Sequence, residues 1–516
     1  MTTPTRAQDR TASRGAAPAG SYWLTSTADT TPRPPLRPGA RVDIAVVGGG
    51  IVGVTCALLL ARGGARVALL EADELGAGTT GATTAKVTSA HGLVYDRLTR
   101  RVGADRAGAY GHANEAALAW MAALVRDEDL DCDWRARDAY TYTEDERRVG
   151  TIEREAAVAR ELGLPAEFTT TVPGPPAARA AVRMRDQAEM HPRRYVLALA
   201  DLAEAAGCLI AERTRVTGLH ATSPCVVVQT DRATLEADRV VIATQFPILD
   251  RSLHFARMHT SRSYIVGIRT PRPAPAMLYG IDDPSRSVRS APLPDGAELM
   301  MIGGEGHPTG GDTDTEARYR ALADTARAWF GEAPITHRWS SQDMTSVDDL
   351  PYAEPVLASG GRVWTVTGLR KWGMTLGTAA AHHLAARFED RDSPHAAAFD
   401  HPRVPSLPAV GEALRENAGN GWRLATGRLR RGPVPEDLAA GEGAVHGPPH
   451  RRVAAYRDDA GALHRLSATC THLGCEVRFN PAERSWDCPC HASRFDARDG
   501  RVLDGPAVHR LPPVDR

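Results

Sequence analysis

The stretch VDIAVVGGGIVGVTCALLLARGG, residues 42–64, constrains this chain more than any other. Its apolar opening reads as a buried strand, the glycines as a turn, and the Ala- and Leu-rich segment behind them as a helix. RVALLEA then supplies a second strand and completes a βαβ unit. Within the turn, Gly48, Gly50 and Gly53 make G-x-G-x-x-G. The spacing has mechanical reasons: a tight turn, close approach of backbone to a pyrophosphate, and close packing of helix on strand, with the helix N-terminus facing the phosphates. Glu71, 18 residues past Gly53, ends the second strand, where a carboxylate accepts ribose hydroxyls and repels a 2′-phosphate. FAD or NAD is therefore expected rather than NADP.

A chain of 516 residues exceeds what one hydrophobic core usually organises, so two or three domains are expected. The net charge of −1 and the 5% aromatic content offer neither an electrostatic footprint nor stacking platforms for nucleic acid. No run of eighteen apolar residues predicts a transmembrane segment, and MTTPTRAQDRTASRGAAPAG lacks the apolar core of a secretory signal. A cytoplasmic protein is the expectation, and there clustered Cys and His read as metal ligands before they read as a disulfide framework.

Residues 1–40, rich in Thr, Pro, Arg and Ala, read as a mobile arm in which only SYW, Ser21 to Trp23, looks able to dock. An Ala-rich helical stretch is expected from about 100 to 165, strands in RVTGL, CVVVQT, DRVVIAT, RSYIVGIRT and ELMMIGG, and a helix over 315–330. A last strand-turn-helix, RVWTVTGLRKWGMTLGTAAAHHLAARF, closes near residue 388, and DSPH with HPRVPSLP signals a linker. A reductase using NAD(P)H would carry a second nucleotide-binding βαβ unit, but the other glycine cluster, MIGGEGHPTGG, leads into polar loop rather than helix. FAD is thus favoured over NAD.

The motifs GAGTTGATTAKVTSAHGLVYDRL and TGLRKWGMTLGTAAA resemble the D-amino-acid oxidase-like family of flavin oxidoreductases, which includes glycine, sarcosine and glutamylputrescine oxidases. Together with SYW, QAEMHPRRYVLALA and the terminal cysteines, they resemble the branch in which such a domain is fused to a C-terminal Rieske domain. The resemblance implies an α/β protein: a Rossmann-like FAD-binding domain with an antiparallel-sheet substrate domain, plus a small all-β Rieske domain. The expected limits are an arm at 1–40, the FAD-dependent oxidoreductase at 41–390, a linker at 391–425 and the Rieske domain at 426–516. Within the oxidoreductase, FAD-binding parts are expected at about 41–95, 185–250 and 345–390, and substrate parts at 96–184 and 251–344.

The family implies that Thr79, Thr80, Thr83, Thr84 and Lys86 run along the pyrophosphate and ribityl chain. Gly368 belongs to the second motif, where Gly373, Met374 and Thr375 would open a helix aimed at the flavin N1 and C2 carbonyl. A helix N-terminus offers free N–H donors and positive potential where reduced flavin carries negative charge. No Cys lies near 368–378 to attach the flavin covalently. The chain has 62 basic residues, yet its lysines are only Lys86 and Lys371, one in each flavin motif. A compact ammonium that shifts its pKa readily is suited to a place beside the isoalloxazine. Lys371 is therefore a candidate catalytic residue, and family analogy adds Arg262, Tyr264 and His91 as substrate contacts.

Near the carboxyl end, Cys470-x-His472 and Cys488-x-x-His491 are separated by fifteen residues, a pattern that resembles Rieske proteins. Two thiolates on one iron and two imidazoles on the other give a 2Fe-2S cluster of raised potential. A structural zinc site, the rival, favours C-x-x-C with H-x3-H. The resemblance further implies a disulfide between Cys475 and Cys490, with a pair of free thiols as the alternative. It also implies that Ser493 hydrogen-bonds a bridging sulfide, and that Phe495 replaces a Tyr that bonds a ligand sulfur in many relatives. Cys56, Cys132, Cys208 and Cys225 read as small core residues.

Asp250, His254 and His259 give D-x3-H-x4-H, which imitates a mononuclear iron site but lies in a crossover loop after VVIATQFP. The expected function is oxidation of a small amine or amino acid by FAD, with electrons passing through the cluster to a cytochrome, ferredoxin or quinone. The histidines would form the edge from which electrons leave. The alternatives are entry of electrons through the Rieske domain, making the flavin a reductant, and a redox-sensing role for that domain.

Overall fold

The computed structural model describes residues 20–175, 177–221, 224–249, 251–311, 314–400 and 435–514. The apolar run after residue 41 forms the strand Ala40–Val47, which pairs in parallel with Val67–Leu70 on one side and Thr234–Ile242 on the other. A central parallel strand is covered on both faces, which is why its sequence is apolar without alternation. The sheet continues to Leu209–Ala211 at one edge, and to the antiparallel hairpin of Val216–Ala221 and Val226–Thr230 at the other. Val363–Thr367 adds a further parallel partner to Thr234–Ile242. The crossover helix Ile51–Arg62 packs on helices Pro192–Ala205 and Gly373–Phe388. A Cβ at Gly377 would stand 2.8 Å from Val52 Cγ2, so the closeness of the last pair depends on that glycine.

A second eight-stranded sheet carries the rest of the N-terminal domain. Its order is Ile335–Ser346, Met258–Thr270, Glu298–Pro308, Arg286–Pro292, Met277–Gly280, Ala139–Thr143, Ala180–Met184 and Ala166–Thr169. All its pairings are antiparallel except that of Met277–Gly280 with Ala139–Thr143. The expected helical stretch from 100 to 165 is corrected. Helix Ala104–Asp127 ends, the strand Ala139–Thr143 follows, and a separate helix runs over Val149–Glu161. The reason is local: AYTYT is an aromatic and β-branched run that suits a buried strand.

Residues 20–39, expected to belong to a mobile arm, are packed on the oxidoreductase; the first nineteen lie outside the described residues. Ser21 caps the short helix Tyr22–Thr25, and Tyr22 and Trp23 are buried. Leu36 is buried too, and its N–H donates to Thr214 Oγ1 at 3.1 Å. Of the expected linker, residues 391–400 include a short helix, Ala396–Phe399, and the remainder lies outside the described residues. Among the described residues no helix is long and apolar enough to cross a membrane.

The C-terminal domain has two small antiparallel sheets. One holds Gly443–His446, Val453–Arg457 and Leu463–Ser467; the other holds Arg478–Asn480, Ser485–Asp487, Arg494–Asp496 and Val502–Asp504. It docks on the oxidoreductase through specific polar contacts. Thr315 Oγ1 donates to Asn480 Oδ1 at 2.7 Å, and an Arg478 N–H donates to the Gly310 carbonyl at 3.0 Å. Gly310 (φ +68°) is required here, because a Cβ would stand 2.7 Å from Pro489 Cα.

Candidate functional site

An open cleft of about 230 Å³ runs along the carboxyl ends of the parallel strands. Gly48 (φ +109°) has no room for a Cβ, which would lie 2.6 Å from the Ala243 carbonyl oxygen. A Cβ at Gly53 would lie 1.8 Å from the Gly48 carbonyl oxygen, so the turn and the helix close on each other. Gly50 is the N-cap of Ile51–Arg62, and the Ile51 N–H donates to Thr80 Oγ1 at 3.1 Å. Glu71 borders the cleft and accepts the N–H of Gly49 at 2.6 Å and that of Asp73 at 2.8 Å. Burial pushes its pKa up, against those two bonds. A carboxylate has about four acceptor positions, so two bonds leave capacity for ribose hydroxyls.

The Thr79–Ala82 turn and the threonines behind it are held from outside the cleft. Trp23 Nε1 donates to the Thr83 carbonyl at 2.7 Å and Trp339 Nε1 to that of Ala82 at 2.9 Å. Buried Arg289 donates to the carbonyls of Thr84 and Ala85 at 2.9 and 2.7 Å. Thr79, Thr80 and Thr83 line the cleft, while Thr84 and Lys86 line the cavity beyond it. Gly368 (φ +70°) turns the chain out of Val363–Thr367, and Gly373 and Met374 bring the N-terminus of helix Gly373–Phe388 to the cleft. Thr375 directs its hydroxyl away, to the Thr88 carbonyl at 3.0 Å. The C-terminal domain closes one side with Leu503 to Val508, tied by an Arg215 N–H to the Val502 carbonyl at 3.2 Å. No motif signals that closure.

The cleft continues into a cavity of about 70 Å³ whose polar walls are Lys86, Lys371, Asp343, Ser263, Ser287 and Ser341. Both lysines of the chain meet there. Lys86 is buried and bonds Ser287 Oγ; burial, and then Arg289, hold its pKa down to about 7. Lys371 Nζ donates to Ser263 Oγ at 2.8 Å. Burial pushes Asp343 up to about 6, against the pull of Lys371 and Arg262.

Of the three expected substrate contacts, Tyr264 borders the cavity, His91 borders the opening beside it, and Arg262 lines neither. Arg262 points away from the cavity: its Nε donates to Ser340 Oγ at 2.9 Å, and its Nη2 lies 3.5 Å from Glu483 of the C-terminal domain. Tyr264 touches the cavity rim, but its hydroxyl pairs with His307 Nε2 at 2.9 Å and its ring packs on Tyr319. Successive strand side chains alternate between faces, and on Met258–Thr270 it is Ser263 that faces the cavity. His91 has both nitrogens engaged, at 2.6 Å from the Tyr110 hydroxyl and 2.7 Å from the Thr88 carbonyl, and it stacks on Trp372. Burial holds its pKa down to about 3, so it lines the opening beside the cavity as a neutral ring.

In the C-terminal domain, the cysteine and histidine loops converge. Cys475 and Cys490 form a disulfide, leaving Cys470 and Cys488 as buried free thiols hydrogen-bonded to each other. The rings of His472 and His491 stand 5.1 Å apart, perpendicular, with both Nδ1 atoms buried. Two adjoining sulfurs beside two imidazoles suit an asymmetric 2Fe-2S cluster, so the donor set fits the group. Ser493 Oγ bonds Cys470 and also accepts the Ala507 N–H at 3.0 Å, while Phe495 is wholly buried. Among the described residues, the sulfurs that lie within 4.8 Å of one another are those of Cys475, Cys488 and Cys490, one expected ligand beside the disulfide pair. Asp250 of the imitation iron motif lies outside the described residues, and His254 pairs with Glu354 at 3.1 Å.

The histidines were expected at an outer edge; His472 is half-buried there, while His491 is turned inward. The His491 ring lies 5.4 Å from that of Phe255 and 6.3 Å from that of Phe246, both in the oxidoreductase. Next to His491, the Ala492 carbonyl accepts the side-chain N–H of Gln342 at 3.0 Å. The Gln342 carbonyl in turn accepts from Thr79 Oγ1 at 3.4 Å and from the Gln245 side chain. Gln342 thus joins the cluster loop to the flavin loop. A single glutamine in a strand leaves no sequence signal of that role.

Comparison with known proteins agrees with this division. The FAD dependent oxidoreductase family model matches residues 43–387, and the Rieske [2Fe-2S] domain model matches 435–515. A putative Rieske 2Fe-2S iron-sulfur protein of Bacillus subtilis is 34% identical over 498 residues, covering 96% of this chain and 97% of its own. The cytochrome b6-f complex iron-sulfur subunit of Triticum aestivum is 36% identical over 99 residues, 19% of this chain and 42% of that one. Glycine oxidase from Geobacillus kaustophilus superposes with a TM-score of 0.58 at 20% identity, over 69% of this chain and 96% of that one.

Proposed function

Since the chain belongs to the FAD dependent oxidoreductase family and carries a Rieske [2Fe-2S] domain, we propose that it oxidises a small amine or amino acid and delivers the electrons singly to an external carrier, a cytochrome, ferredoxin or quinone. Bound FAD supplies a two-electron acceptor and the bound cluster a one-electron relay. The observation that carries the reading is the Gln342 junction, which ties the loop of His491 to the loop of Thr79 through one residue. A Rieske domain serving only as a sensor has no need of its histidines against the flavin side.

The chain's own groups would divide the work. Lys86, Lys371 and the serines of the cavity bind the substrate's anionic group, and Asp343 is placed to hold a proton from its amine. The N-terminus of Gly373–Phe388 offers unpaired N–H donors where negative charge accumulates on reduction. The Rieske segment Leu503 to Val508 keeps water from one side of the cleft.

The test is anaerobic. Holoprotein is mixed with a panel of amines and amino acids, with NADH as control, while flavin absorbance and the Rieske EPR signal are followed together. Bleaching by a panel member, followed by reduction of the cluster, supports the proposal. Reduction only by NADH or an added reductase reverses the direction of electron flow.

A further inference from the structure

Beside the cavity lies an opening of about 830 Å³, and the two share Tyr279, Ser285, Lys371 and Trp372. Six cations line this vestibule, Arg97, Arg100, Arg101, Arg148, Arg370 and Lys371, with Asp349 as the carboxylate among them. Some of that charge is balanced locally, Arg100 by Asp96 and Arg148 by Asp282. Arg97, Arg101 and Arg370 instead converge on the one carboxylate of Asp349, at 3.0, 2.9 and 3.7 Å. Even when Asp343 and Asp348 are counted, six cations face five carboxylates.

Two details show that the convergence is held against resistance. Nη1 of Arg370 meets its partner Asp349 only at 3.7 Å, beyond hydrogen-bond range. Arg370 itself sits at φ +56°, a left-handed conformation unusual for arginine, fixed by its N–H to the Met344 carbonyl at 2.8 Å. The pKa of Arg97 is drawn down by burial first and by Arg370 second. Three guanidiniums that share one carboxylate keep donor capacity to spare, and at the mouth of a binding cavity that capacity points to a second anion brought by a ligand.

We propose that the substrate is an amine bearing two carboxylates, one held in the cavity by Lys371 and Lys86 and the second in the vestibule by Arg97 and Arg370. This rests on the reading of the cavity as the amine-oxidising site and names the substrate class for it. Planar guanidinium forks match a carboxylate in two-point contact, which is why arginines rather than lysines suit the outer position. The second carboxylate adds a counter-charge to the three arginines that share Asp349.

The test uses binding, so that it stands apart from turnover. Holoprotein is titrated with succinate and with propanoate, which differ by one carboxylate, and the dissociation constants are read from the perturbed flavin spectrum and by calorimetry. Succinate is expected to bind about tenfold tighter. Arg97→Gln, at a side chain 44% exposed and safe for folding, is expected to erase most of that preference while changing propanoate binding by no more than about twofold. Arg370→Gln is expected to do the same. Equal affinities for the two acids, or a preference that survives both substitutions, overturns the proposal. If the preference holds and no amine reduces the flavin, the vestibule stands and the oxidation reading falls.

Discussion

Glu483 belongs to the Rieske domain, yet its carboxylate is shared across the domain boundary. Arg494 of its own domain and Arg262 of the oxidoreductase both pair with it, and the Tyr319 hydroxyl donates to Oε1 at 3.2 Å. Burial alone would raise its pKa; Arg262 and Arg494 outweigh burial and hold it at about 2. The distance from the ordinary value of 4.5 corresponds to roughly 3 kcal/mol of stabilisation. Because the folded value is the lower one, that stabilisation is complete above pH 4.5 and is lost as the pH falls toward 2. Glu483→Gln keeps the shape and removes the charge. Urea unfolding followed by the visible circular dichroism of the cluster is expected to show a loss of about 3 kcal/mol at pH 7, shrinking to about 1 kcal/mol at pH 3. A loss below about 1 kcal/mol at pH 7, or an equal loss at both pH values, would refute the argument that the arginines and this carboxylate lock the domains together.

Gly53→Ala forces a Cβ against the Gly48 carbonyl, so the purified protein is expected to lack the yellow flavin band while keeping the Rieske spectrum. Gln342→Leu breaks the bond to Ala492 and should slow the appearance of reduced cluster after flavin bleaching, measured by stopped flow, with the bleaching itself little changed. Phe495→Tyr brings a hydroxyl to the buried cluster side of its strand. One added hydrogen bond of about 1 kcal/mol should raise the midpoint by roughly 40 mV in protein-film voltammetry, and an unchanged or lower value contradicts this.

The parts of this protein that were legible in its sequence are those whose chemistry demands a residue type at a spacing. Gly48 and Gly53 are required by contacts under 3 Å, and C-x-H with C-x-x-H by the geometry of a cluster. The two lysines stood out because arginine fills every other basic position. What stayed hidden depends on which face a strand presents and on which domain lies across from it. Arg262 and Ser263 are neighbours, and only the register of Met258–Thr270 against Ile335–Ser346 decides that the serine meets the cavity while the arginine meets Glu483. Gln342, Phe246 and Asp343 carry no motif because their roles arise from docking, a property of two surfaces rather than of one segment.

The inward turn of His491 bears on where a one-electron carrier can dock, and the exposures decide between two routes. His491 is 8% exposed and faces Phe255, so a carrier cannot reach it without lifting the Rieske domain. Lifting must break the Arg262–Glu483 pair and the bonds of Tyr319, Gln342, Thr315 and Arg478 across the boundary, at about 1 kcal/mol each, which holds the lifted state below roughly one molecule in a thousand. His472 is only half-buried, and the next residue, Leu473, is 56% exposed beside it. A carrier that docks over Leu473 approaches the cluster through His472 in every molecule, without any opening. Leu473→Asp is therefore expected to slow reduction of an added one-electron carrier at least severalfold, while flavin-to-cluster transfer stays at its normal rate. If the carrier is reduced as fast by this variant as by the natural protein, and Glu483→Gln speeds the reaction, the lifted state is the one that delivers electrons.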